Sequence, residues 1–174
     1  LDHAILDGLA EAVGAAGASG VYRALLLTGD GRHFSSGYDI GDIPEDVFAV
    51  EAEKLVAHPF TAALEALDAT ELPTVCAING PAIGGGLELA LACDLRIAAD
   101  GVQFGMPPAK LGLVYGHTGI RRFIDAIGAP RARELFQENL VDSFHRCRGP
   151  APAGGLRAGI PETPGHRRAA ASFR

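Results

Sequence analysis

The sequence predicts an α/β fold, and three observations carry that expectation. Short apolar runs ending in turn residues, such as "RALLLTG" (23–29) and "ELPTVCAING" (71–80), alternate with stretches whose apolar residues recur every three or four positions. The chain has 174 residues, 48% of them hydrophobic and 21% charged, enough to bury one core and too few for two domains. Three consecutive glycines, Gly84, Gly85 and Gly86, stand between an apolar run and a helical one, where an alternating architecture passes from strand to helix.

The elements follow in order. Ile5, Leu6, Leu9 and Val13 share a helical face, so the chain opens in a helix and an earlier segment is expected before Leu1. "RALLLTG" reads as a buried strand ending in a turn at Thr28-Gly29, and a loop carries "GRHFSSGYDIGDIP". A second helix is expected over 46–57. His58-Pro59 breaks it, and Pro59 suits the first turn of a third helix bearing Phe60, Leu64 and Leu67. After the strand in 71–80 come the glycines, a helix over 87–93, and strands at "LRIAA" and "VQFG". "GIRRFIDAIG" is strongly amphipathic, with Ile120, Phe123, Ile124 and Ile127 on one face, and core packing is the expected use of that face. Pro130 opens another helix. From about Gln137 the apolar periodicity gives way to Pro, Gly, Arg and His, and residues 137–174 are expected to form a disordered tail behind a core of residues 1–136.

Charge and composition exclude several functions. A net charge of −6 without a basic stripe argues against nucleic acid as a partner. No apolar run approaches the ~18 residues of a membrane span, and no leader pattern opens the chain, so no membrane partner and a cytoplasmic location are expected. Cys76, Cys93 and Cys147 form an odd set, two of them in apolar segments, and read as buried reduced thiols. The six histidines lack zinc-site spacing, so no metal is expected; His33 and His117 lie in loops and receive no role.

Glycines before a helix let the backbone approach a ligand closely, and the helix start offers unpaired N–H groups and partial positive charge. The ligand oxygen could belong to a phosphate or to an oxyanion. No P-loop Lys-Ser or Lys-Thr follows the glycines, and the G-x-G-x-x-G spacing is absent, which weakens the phosphate reading.

Three ordered blocks decide between them: "HFSSGYDI" (33–40), "NGPAIGGGLELALACDLRIAA" (79–99) and "FGMPPAKLGLVYGHTG" (104–119). Together they resemble the crotonase, or enoyl-CoA hydratase/isomerase, superfamily, over residues 1–136. The resemblance implies a spiral of β-β-α units with flanking helices, assembled as homotrimers or hexamers. It implies acyl-CoA thioesters as substrates and no cofactor, since coenzyme A is part of the substrate. It also implies an initial strand pair and C-terminal helices outside these blocks. Carried over by position, the backbone N–H groups of Tyr38 and Gly85 form the oxyanion hole, where losing one donor typically costs about 3 kcal/mol of barrier. Ser36, Gly37, Asp39 and Ile40 border coenzyme A, and Gly84 and Pro108 contact substrate. Asp39 and Asp94 also match acidic positions that read as structural, capping a turn or a strand end.

Glu88 matches the first catalytic glutamate of hydratases. A carboxylate in the first helical turn is also favourable without catalysis. Pro108 stands where hydratases carry the second glutamate, which ordinary hydration uses beside the first. Tyr115 lies in a block resembling the methylmalonyl-CoA decarboxylase branch, where loss of CO₂ generates the enolate directly and a phenol orients the leaving carboxylate. Three readings follow: a hydratase/isomerase-type enzyme using Glu88, a short-chain malonyl-type decarboxylase using Tyr115, and a catalytically inactive family member.

Overall fold

The computed structural model of the chain describes residues 1–41, 47, 50, 56–138, 142–143 and 170–173. Helix α1 (His3–Ser19) starts where the Asp2 carboxylate accepts the Ile5 N–H at 2.8 Å and stops at Gly20, whose left-handed φ of 64° closes the last turn. Leu6, Leu9 and Val13 are its buried stripe, as the periodicity requires. Strand β1 (Leu25–Gly29) follows. The helix expected over 46–57 lies mostly outside the described residues. Pro59 sits inside a π-helical turn, Val56–Phe60, and α2 (Thr61–Ala69) begins only after it. A proline has no N–H for the i→i−4 ladder, and the wider turn accommodates that loss.

Next come β2 (Thr74–Ile78), β3 (Ala82–Ile83), α3 (Gly85–Ala92), β4 (Leu95–Ala98) and β5 (Gln103–Gly105). A 3₁₀ turn (Pro108–Leu111) leads to α4 (His117–Ile127) and α5 (Ala129–Glu138). Within the segment expected to be disordered, the described residues are the end of α5 and two strands, β6 (Asp142–Ser143) and β7 (Ala170–Phe173). Cys147 lies outside the described residues; Cys76 and Cys93 are free and buried.

The strands form a parallel sheet in the order β4-β2-β1-β7 and a smaller sheet in the order β3-β5-β6. Alternation along the parallel strands sends Leu27 and Cys76 into a core shared with Leu6, Leu9, Leu64 and Leu67. The opposite face corrects the reading of 23–29 as a buried strand, since of β1 only Leu27 is buried. Leu26, Leu95 and Ile97 are 40%, 62% and 63% exposed, because the described helices pack on the opposite face of the sheet. The amphipathic stripe of α4 is corrected in the same way. Phe123 is fully buried, while Ile120, Ile124 and Ile127 are exposed, since the helix turns Gly119 and Phe123 toward its neighbours.

Candidate active site

Two loops meet at the start of α3. The Phe34 and Ser35 N–H groups donate to Pro81 O at 3.1 and 3.0 Å, and the Ile83 N–H donates to Ser35 O at 2.9 Å. The Gly84 N–H donates to Gly105 O at 2.9 Å, which joins β5 to the same junction. Asn79 ties the approach: its side-chain oxygen accepts the Gly29 N–H at 3.1 Å and its amide donates to Gly31 O at 2.9 Å.

Each glycine of the triplet has a separate structural reason. Gly84 takes a positive φ of 54°. A Cβ on Gly85 would stand 2.7 Å from Tyr38 Cε1 and Cζ, so the Tyr38 ring lies directly against its α-carbon. A Cβ on Gly86 would stand 2.3 Å from Ser35 Cβ. Gly37, also at positive φ (95°), passes so close to Ile83 O that a Cβ there would be 3.1 Å away. The Tyr38 and Gly85 amides thus lie on two segments pressed together, and among the described residues neither N–H takes part in the backbone bonds between the two loops.

Glu88 is one turn further along α3 and 4% exposed. The Tyr115 hydroxyl donates a short hydrogen bond to Glu88 Oε2. Gly119 on α4 makes room for the pair, since a Cβ there would stand 2.5 Å from Tyr115 Cε1 and 2.8 Å from Glu88 Oε1. Tyr115 is wedged edge-on against Phe136, with ring centroids 5.3 Å apart, and Phe136 in turn meets Phe123 at 5.1 Å. Burial raises the Glu88 carboxyl above its ordinary value, and this outweighs the Tyr115 hydrogen bond and the Arg122 charge, which both pull it down. Burial and the Glu88 charge push both Tyr115 and Tyr38 upward, so both stay phenols at neutral pH. Arg122 is held by Asp68 of α2 through paired contacts, one of them 2.9 Å from Nη1 to Oδ1.

The structure therefore brings Tyr38, Gly84, Gly85, Glu88 and Tyr115 together. Gly37 is buried beside them, Pro108 is buried at the start of the 3₁₀ turn, and Ser36, Asp39 and Ile40 lie along the outer part of the loop. Asp39 caps its own turn, accepting the Gly41 N–H at 3.3 Å. Asp94 closes the start of β2: its carboxylate accepts the Thr74 N–H and hydroxyl at 2.7 and 2.8 Å, which lowers its pKa. Sequence reasoning missed the Tyr38 side chain, Gly119, Asn79 and the Arg122–Asp68 pair. Gly119, a glycine inside a helical pattern, was the one signal available.

A parallel sheet with helices on one face, joined to a second small sheet at a glycine-lined junction, defines an α/β fold of the crotonase type, with a buried carboxylate one turn beyond the junction. A family model described as enoyl-CoA hydratase/isomerase matches residues 1–141. The "Probable enoyl-CoA hydratase echA6" of Mycobacterium tuberculosis is 39% identical over 136 residues, covering 78% of this chain and 52% of its own length. The "Enoyl-CoA isomerase/hydratase fer4" of Mycosarcoma maydis is 44% identical over 116 residues, covering 65% of this chain and 41% of its own. Among solved structures, enoyl-CoA hydratase from Bacillus anthracis superimposes with a TM-score of 0.74 at 31% identity, over 84% of this chain and 56% of that one. The chain belongs to the enoyl-CoA hydratase/isomerase family, and it spans about half the length of the relatives it matches.

Proposed function

We propose that this chain is the part of an acyl-CoA-metabolising enzyme that carries the catalytic carboxylate and the oxyanion hole. The observation that carries this is the placement of Glu88, buried one turn beyond Gly85 and hydrogen-bonded by Tyr115. In this reading the Tyr38 and Gly85 N–H groups hold the thioester oxygen, which carries the negative charge of an enolate. Ionised Glu88 takes a proton from the carbon next to the thioester; that C–H pair enters the enolate, and Glu88 later returns the proton to the same conjugated system. One carboxylate suffices for such a proton shift. Pro108, at the position of the second hydratase glutamate, leaves this chain better suited to isomerisation than to two-glutamate hydration.

The decarboxylase reading gains no support, because the Tyr115 phenol that would orient a leaving carboxylate already donates to Glu88. No cofactor beyond the coenzyme A of the substrate is proposed, and cytoplasmic homotrimers or hexamers are the proposed setting. Among the described residues no helix is long and apolar enough to cross a membrane. The test is turnover of short 3-enoyl- and 2-enoyl-CoA thioesters. Isomerisation reduced about 10²- to 10⁴-fold in Glu88→Gln is the expected result, and turnover indifferent to that substitution refutes the reading.

A further inference from the structure

Two arginines follow one another in α4, and the structure uses them differently. Arg121 pairs with Asp125 one turn on, at 2.8 Å, and both side chains are more than half exposed, an arrangement that contributes little. Arg122 turns inward. Its two terminal nitrogens donate to the Asp68 carboxylate, one of them at 2.9 Å. Asp68 belongs to α2, and both α2 and α4 pack on α3, the helix that carries Glu88. Within the pair the cation is the inner member, its side chain 25% exposed against 47% for Asp68. Gly119 shows how close this face of α4 comes, since a Cβ there would stand 2.8 Å from Glu88 Oε1. Arg122 is three residues further, on the same side of the helix.

A buried carboxylate must ionise to act as a base, and burial opposes its ionisation. The groups that face Glu88 are Tyr115 from the loop before α4, Tyr38 from the loop after β1, and Arg122 from α4. On α2, Asp68 is committed to Arg122. Both phenols stay neutral at neutral pH, so Arg122 supplies the positive charge. Asp68 keeps the guanidinium protonated, and by taking both terminal nitrogens it keeps their bonds away from Glu88. The charge then acts through space. A guanidinium bonded straight to Glu88 would stabilise the carboxylate and occupy the oxygens that have to take a proton.

We propose that Arg122 is a positioning residue: held by Asp68, its guanidinium keeps a positive charge alongside α3 and favours the ionised form of Glu88 without bonding to it. This rests on the reading of Glu88 as the base. The test is a carbon-13 NMR titration of the glutamate carboxyls, with Glu88 assigned by the signal lost in Glu88→Gln, read beside the pH–rate profile of isomerisation. In Arg122→Gln, which keeps a donor for Asp68, the Glu88 midpoint and the rising limb should both move to higher pH, by about 0.5 unit or more. Arg122→Lys should bring both back to the wild-type position. Asp68→Asn keeps an acceptor for the guanidinium and removes only the outer charge, so its midpoint should stay or fall. An unmoved midpoint in Arg122→Gln, a Lys variant displaced as far as the Gln one, or a rise in Asp68→Asn overturns the proposal, since packing and not charge would then be at work. Should Arg122→Gln fail to fold, Arg122→Lys and Asp68→Asn still decide it: the wild-type midpoint in both supports the proposal, and a raised one overturns it. Absence of turnover in wild type, with the midpoints still moving as expected, overturns the reading of Glu88 as the base and leaves the charge effect standing.

Discussion

At the scale of single residues, burial and hydrogen bonding pull Glu88 in opposite directions. Burial raises its pKa, and the Tyr115 hydrogen bond lowers it. A base works only when ionised, so activity should rise with pH as Glu88 loses its proton. Tyr115→Phe removes the lowering contribution, and the rising limb of the pH–rate profile should move to higher pH; a limb that stays in place removes Tyr115 from this role. Stability follows the same group with a definite sign. A carboxyl raised in the folded state binds its proton more tightly there than in the unfolded chain. Its contribution is therefore present below the unfolded value and lost as pH rises through the folded one. Glu88→Gln has no charge to bury, so its melting temperature relative to wild type should climb between pH 4 and pH 8. A constant difference across that range contradicts the raised value.

At the scale of elements, the junction between the Ser35 loop and α3 depends on absent side chains. Gly86→Ala must push its Cβ into Ser35, 2.3 Å away, and should cost about 1–3 kcal/mol, as overpacking does, read from denaturant unfolding. Gly119→Ala tests the site from the other side. Its Cβ would collide with the Tyr115 ring and Glu88 Oε1, so it should break their hydrogen bond with both residues still present. Activity should fall by at least about 10-fold, by the loss of catalytic alignment. The far end of α3 is held differently. The Arg96 guanidinium reaches Cys93 O and, at 3.4 Å, Ala90 O and Leu91 O, putting a cation on the carbonyls that the helix leaves unpaired. Arg96→Met should therefore cost about 1 kcal/mol.

At the scale of the whole molecule, the described helices cover one face of the parallel sheet and leave the other exposed. The register places Leu26 beside Val75 and Val75 beside Leu95, with Ala77 beside Ile97, which makes a continuous apolar surface. Leu95 and Ile97 are more than half exposed on it, and the isoleucines of α4 add a second exposed stripe. Apolar patches of this kind drive association in water. Sedimentation of the chain should show self-association that grows with concentration, and Leu95→Lys with Ile97→Lys should reduce it while leaving the helical signal unchanged. Equal association in the double variant would place the contact elsewhere.

Local pattern in the sequence was enough for the elements and for the polar actors. Periodicity located α1, α3 and α4, alternation with turn residues located β1, β2 and β4, and the glycine triplet beside Glu88 marked the junction, because each of these signals lies within a few residues of chain. What lies across the fold was not legible. That Tyr115 donates to Glu88, 27 positions away, and that the Tyr38 ring rests on Gly85, follow from packing between elements. The same holds for burial. The stripe of α4 and the run of leucines in β1 look alike in sequence whether or not a neighbour covers them, and only the tertiary structure showed Phe123 and Leu27 inside with Ile124 and Leu26 outside. Hydrophobicity along a chain states what must avoid water, whereas coverage depends on which surfaces meet.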